Sequence, residues 1–198
     1  MLYGILKDDA INTGQDSELL CLFAVPLSVK SNQPAYVQDA MNLKRKAGFQ
    51  GVQRWEVSTA IASSYGNSGF LVHGIEKGVV IPFKIRIPQM VGLNIGPNTT
   101  ASVATQGSNS LTTAAPLIPG EFIRIGTDNK VYLVLRSEGN VAVLRPSLNR
   151  GVADGSTVYR GGNVSLSVRY DMDTVIGMTF EDGILSNPGV IKFIEAIE

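Results

Sequence analysis

The residues of this chain that could do chemistry are few, and their spacing limits what they can do. One histidine occurs in 198 residues, His73, which forms an isolated His-x-x-Glu with Glu76. A zinc-protease helix needs a second histidine one turn away to complete its ligand set, and the chain has none. His73 is therefore read as a surface or partly packed side chain. Gly66-Asn67-Ser68-Gly69 lacks the Gly-x-Ser-x-Gly spacing of a nucleophile elbow and reads as a turn. Asp171, Asp173, Glu181 and Asp182 form the densest acidic cluster. A calcium loop would need alternating oxygen ligands, a mid-loop glycine and a terminal glutamate in register, which this segment lacks, so the carboxylates read as solvated. Gly92 to Gly96 and Gly161-Gly162 have neither the spacing nor the following helix of a nucleotide-binding loop. Cys21 is alone, so no internal disulfide forms, and its neighbours Leu19, Leu20, Leu22 and Phe23 make it a small core residue. Lys44-Arg45-Lys46 with Arg54 is the one basic patch. No aromatic residue interleaves it, and Asp39 and Glu56 stand close by, which argues against a nucleic-acid grip. No catalytic residue, metal ligand or cofactor site is assigned, and the chain is not expected to be an enzyme.

The totals point the same way. With 17 basic and 17 acidic residues the net charge is zero, so no electrostatic footprint for nucleic acid is present. Only 17% of residues are charged, against about a quarter in ordinary globular chains. A near-neutral, charge-poor surface favours association, and the expected partners are proteins, further copies of this chain among them. Leu19 to Leu27 is apolar but too short to cross a bilayer and contains Pro26, so no membrane insertion is expected. Met1 to Lys7 has no basic start, and Lys7, Asp8 and Asp9 interrupt any apolar region, so no secretory signal is read.

The elements that would carry these residues are strands. Residues 53–61, with the only tryptophan, alternate Trp55, Val57, Thr59 and Ile61 on one side against Arg54, Glu56, Ser58 and Ala60, as a half-buried strand requires. Leu43 to Ala47 leads into the short loop Gly48-Phe49-Gln50-Gly51, which predicts an antiparallel hairpin with the tryptophan strand. The whole run from Tyr36 to Ala47 reads as one strand, and Leu19 to Val29 as another, with Pro26 marking an edge or a bulge. Ser68 caps a short helix ending at Gly78. Val79 to Gln89 alternates over eleven residues and reads as a strand whose prolines place it at an edge or make its pairing irregular.

Beyond Gln89 the texture becomes rich in Gly, Asn, Ser and Thr, which places a boundary near Val91. Short strands at 100–105, 109–114, 121–125, 130–136 and 140–144, separated by turn clusters, predict a small barrel of about five strands. A short run at 156–159 follows. Asn163 to Tyr170, Val175 to Phe180 and Val190 to Ile197 supply further strands that return to the first sheet. The expected class is all-β: a β-sandwich formed by residues 1–91 and 163–198, one short helix, and an inserted small β-barrel over 92–162.

The order of these elements resembles the distal tail proteins of tailed bacteriophages and their relatives in contractile baseplates. The resemblance rests on Gln53-Arg54-Trp55-Glu56-Val57, the strand ending at Ile87-Pro88, Ile118-Pro119-Gly120-Glu121-Phe122-Ile123-Arg124-Ile125, Lys130-Val131-Tyr132-Leu133-Val134, and Val141-Ala142-Val143-Leu144-Arg145-Pro146-Ser147-Leu148 followed by Asp154-Gly155-Ser156. It covers roughly residues 40 to 165. It implies a tail-tube-like sandwich with an OB-like inserted barrel, assembled as a homo-oligomeric, sixfold ring between tail tube and hub. The partners it implies are tail-tube, hub or baseplate proteins, and the location is the virion tail, after synthesis in the cytoplasm of a bacterial host. Within that picture Trp55 is the core anchor, and Lys44, Arg45, Lys46, Arg54 and Glu56 face outward toward the next subunit. A carbohydrate- or receptor-binding β-module of a phage tail is the alternative. Its barrel segment holds only Phe122, Tyr132 and Tyr159 as aromatic platforms.

If the Trp55 ring is buried, Trp55→Ala costs ~3–5 kcal/mol. A urea melt of that variant checks this, and a near-unchanged midpoint would place Trp55 outside the core.

Overall fold

The computed structural model describes residues 5–7, 19–33, 35–39, 45–49, 53–61, 78–86, 96–171, 180–181, 184–185 and 190–197. Sixteen strands run through them: β1 (Ile5–Lys7), β2 (Leu19–Asn32), β3 (Ala35–Asp39), β4 (Arg45–Phe49), β5 (Arg54–Ile61), β6 (Phe83–Arg86), β7 (Thr99–Ala101), β8 (Ser110–Thr112), β9 (Phe122–Ile125), β10 (Val131–Glu138), β11 (Val141–Arg145), β12 (Ser156–Tyr159), β13 (Leu166–Tyr170), β14 (Phe180–Glu181), β15 (Ile184–Leu185) and β16 (Val190–Glu195). The only helical segment among the described residues is a single 3-10 turn, Gly161–Asn163. The all-β class expected from the sequence is what the chain adopts. The helix expected before Gly78 falls on 68–77, outside the described residues, as do His73 and Glu76.

Six antiparallel strands close into a barrel in the order β1-β2-β5-β16-β13-β6. Two open layers were expected here; instead each strand finds a partner on both sides and no edge remains. The ring takes strands from both ends of the chain, and β16 sits between β5 and β13. Its interior follows from period-two alternation: Trp55, Val57 and Thr59 are buried along β5, and Ile191 and Phe193 along β16. Phe83, Tyr170 and Phe193 meet with ring centroids 4.9–5.7 Å apart. Pro26 behaves as expected, since the register between β2 and β5 shifts between Ala24 and Ser28, where the missing proline N–H would break a regular ladder.

The second sheet has the order β7-β12-β9-β10-β11-β8. Beyond the ends of its outer strands, Ser102 N donates to Thr112 O at 2.9 Å and Ala114 N to Thr100 O at 2.8 Å, so the sheet curls back on itself as a six-stranded barrel. Leu111, Ile123, Tyr132, Val134, Ala142, Leu144 and Val158 fill it. All of its strands lie between 99 and 159, so this barrel interrupts the first one between β6 and β13.

Four local expectations are corrected. β4 pairs with β3, from Ala35↔Phe49 to Asp39↔Arg45, and not with the tryptophan strand. The run 36–47 is thus two strands that reverse on each other rather than one, and β5 takes β2 and β16 as neighbours. The five-pair ladder from Ala35 to Asp39 takes β4, and the short Gly-bounded connection on which the other hairpin was read carries no pairing with β5. The strand expected from Val79 begins only at Phe83. Gly78 has φ +50° and Pro82 offers no N–H, so Val79, Val80 and Ile81 form an exposed turn. β6 itself lies between β1 and β13 and is not an edge, because its pairing starts just after Pro82.

Candidate functional site at the seam between the barrels

The alternation that buries Ile191 and Phe193 also turns Glu195 inward, and the alternation that buries Trp55 and Val57 turns Gln53 inward. Both polar side chains therefore point at the end of the first barrel, where the second barrel docks. Glu195 and Lys130, which immediately precedes β10, are each 2% exposed, and Gln53 is 3% exposed. Burial at this depth requires every donor and acceptor to be matched.

They are matched to one another. Lys130 Nζ donates to Gln53 O and to Gln53 Oε1, both at 2.8 Å, and to Glu195 Oε2, with which it forms an ion pair. All three ammonium hydrogens are thereby used. Glu195 also accepts Val131 N at 3.0 Å and Trp55 N at 3.1 Å. One carboxylate thus holds backbone groups from both barrels. Gln53 Nε2 donates onward to Ser31 Oγ at 3.0 Å, and the Trp55 indole Nε1 donates to Val131 O at 2.9 Å. Lys130 N donates to Asp128 Oδ1 at 3.0 Å; the other oxygen of Asp128 accepts Tyr132 OH at 2.6 Å, and that hydroxyl accepts Asn149 N at 2.9 Å. Burial pushes the Lys130 ammonium below its ordinary value and the Glu195 carboxyl above its own, each opposed by the charge of the other. Burial and the Asp128 bond push the Tyr132 phenol up, so it stays protonated.

Apolar contacts surround this network. Val131 is part of the first barrel's core, Phe122 and Leu133 pack against it, and the Trp55 and Phe122 rings meet edge to face at 5.2 Å. On one side the two barrels stand apart around a crevice of about 330 Å³, lined by Gln53, Arg54 and Ile197 of the first and by Gln106, Lys130 and Asn149, among others, of the second. A second buried ion pair lies at the neck, where Arg160 reaches Glu121 through Nε at 3.2 Å and Nη2 at 3.0 Å. Ile118 N donates to the same carboxylate at 2.7 Å, and Arg160 N and Asn163 Nδ2 both donate to Asn98 Oδ1.

Among the residues singled out from the sequence, Trp55 is 6% exposed and belongs to this seam. Arg54 is exposed at the crevice, and Glu56, half-buried, accepts Asn32 Nδ2. Arg45 and Lys46 lie on β4, opposite Asp39 and Gln38, in a two-stranded sheet with β3. The strand ladder therefore does not set them across from Arg54; Lys44 lies outside the described residues. Asp171 donates its backbone N–H to Lys192 O and ends β13. Among the described residues no three His, Cys, Asp or Glu gather as metal ligands. The residues that sequence reasoning missed are Gln53, Lys130, Glu195, Glu121 and Arg160. A signal for two existed: extending the alternation of Trp55 back to Gln53, and of Phe193 on to Glu195, puts a polar group at a core-facing position at each strand end.

In comparisons with known proteins, no family model and no curated sequence matches the chain.

The bonding pattern predicts unequal costs for the two ionic partners. Lys130→Met removes one of the three donors to Glu195 and leaves two Gln53 oxygens, acceptors only, without the ammonium. Glu195→Ala leaves the ammonium its two Gln53 acceptors but no counter-charge, and strands two backbone N–H groups, each of which costs ~1–3 kcal/mol when buried unpaired. Because a buried N–H left unpaired costs more than a carbonyl oxygen left under-used, Glu195→Ala is expected to lower the unfolding free energy more than Lys130→Met. Chemical denaturation of both variants measures the difference, and equal losses would contradict the three-donor role of Glu195.

Proposed function

We propose that this chain is a structural virion protein of a phage tail tip or baseplate, a subunit of a ring that joins the tail tube to the hub. The observation that carries the reading is where the family-like residues lie. Ile118 to Ile125, Lys130 to Val134, Val141 to Leu148 and Asp154 to Ser156 run through β9 to β12, and Phe122, Lys130 and Val131 among them make the seam with the tryptophan strand. The polar groups of that seam are spent on one another, which suits a part that holds shape more than one that turns over a substrate. The β3–β4 hairpin, a two-stranded sheet, gains stability by packing on a neighbour, since such hairpins are marginal alone. In this reading Arg45 and Lys46 on that hairpin, with Lys44, Arg54 and Glu56, face the adjacent subunit. The charge-poor composition supports the same reading.

Native mass spectrometry and negative-stain microscopy of the purified chain test it. Closed rings of about six copies are expected, as closed cyclic symmetry requires of a head-to-tail contact. Arg45→Glu with Arg54→Glu is expected to shift the distribution toward smaller species. A stable monomer at high concentration, or one that binds glycans, would overturn the proposal.

A further inference from the structure

The seam combines two kinds of contact with different geometric content. The apolar side chains of Val131, Phe122 and Leu133 attract the Trp55 ring without direction, and a single hydrogen bond, Trp55 Nε1 to Val131 O at 2.9 Å, is the one directional contact in that patch. Hydrogen-bonded ion pairs are directional, because their distances and angles are narrow. In a chain with only 17% charged residues, one fully buried ion pair, Lys130–Glu195, spans the place where the inserted barrel meets the first barrel. A second buried pair, Arg160–Glu121, lies within the insert beside the exit of its chain and does not cross the seam. A buried ion pair adds little net stability over an apolar pair of equal volume, so its placement here asks for another reason. The crevice supplies one. On that side the barrels are separated by about 330 Å³, so close packing between them is interrupted there.

We propose that the Lys130–Glu195–Gln53 network is an orientation lock that holds the inserted barrel in one pose on the first barrel. The lock works by matching groups from four places at once. Glu195 takes the β5 backbone at Trp55, the β10 backbone at Val131 and the Lys130 ammonium, while Gln53 holds that ammonium from the opposite side. A tilt that opens the seam must break several of these bonds together, whereas the apolar patch alone opposes it with the single Trp55 Nε1 to Val131 O bond. Each barrel keeps its own core in either case, since the two clusters of buried residues are separate apart from Val131 and its neighbours. The consequence is a subunit that transmits position from one barrel to the other as a rigid body. It does not depend on the ring proposed above.

The test is a distance measurement between the barrels in the full chain. Val190 of the first barrel and Val103 of the second are 67% and 74% exposed and accept spin labels as Val190→Cys and Val103→Cys in a Cys21→Ala background. The lock is removed by Lys130→Met with Glu195→Gln, which deletes both charges while the amide oxygen still accepts one of the two backbone N–H groups. Ring and methyl signals of Phe193 and Leu111 report the two cores in the same samples. The expected result is one narrow distance population in the parent and a broadened or split one in the variant, with both cores intact. An unchanged narrow distribution would overturn the lock, and so would loss of both cores, which would make the network a requirement of folding and not of orientation. Gln53→Leu, which leaves the ion pair in place, is expected to broaden the distribution less.

Discussion

A carboxylate cannot be buried without donors, and in this molecule the donors for Glu195 come from both barrels. That requirement fixes much else. Val131 and Trp55 must present their N–H groups to one point, so β10 and β5 must approach at their ends. Lys130 must bring its charge to the same point, and with one acceptor used by Glu195 it needs two more, which Gln53 supplies from its carbonyl and its side chain. β16 must already be in place between β5 and β13 for Glu195 to be there at all. The last described strand of the chain therefore completes the first barrel and docks the second in one step.

The two barrels otherwise follow ordinary rules. Period-two alternation fills each with aliphatic and aromatic side chains, and closure removes the exposed edges that short strands would leave. The aromatic trio of Phe83, Tyr170 and Phe193 packs one interior, and Tyr132 packs the other while its hydroxyl finds Asp128 and Asn149. The two buried ion pairs sit where separate parts of the sequence meet, Lys130 with Glu195 and Arg160 with Glu121.

Much of this was legible in the sequence, because it is local. The tryptophan strand, the strands at 121–125, 130–136 and 140–144, the bulge at Pro26 and the all-β class follow from alternation and from proline and glycine placement. What was not legible is non-local. Whether β4 pairs with β3 or with β5 depends on which of two neighbours wins, and a short loop carries no information about the ladder that competes with it. Nor does alternation distinguish two layers from a closed ring, since both bury every second residue. The seam is the hardest case. Lys130, Glu195 and Gln53 are separated by 65 and 77 residues in the chain, and each alone looks like an ordinary polar residue near a strand end.

The most direct measurement is hydrogen exchange at the two backbone amides that Glu195 holds. Neither Val131 N–H nor Trp55 N–H reports on ordinary sheet pairing at that bond, because each donates to a side chain. If the seam joins the barrels as described, both exchange as slowly as the core amides of Val57 and Tyr132 and open only when the whole molecule unfolds. If they exchange on the timescale of the exposed turn at Gly139 while those core amides stay protected, the barrels part freely and the account is wrong.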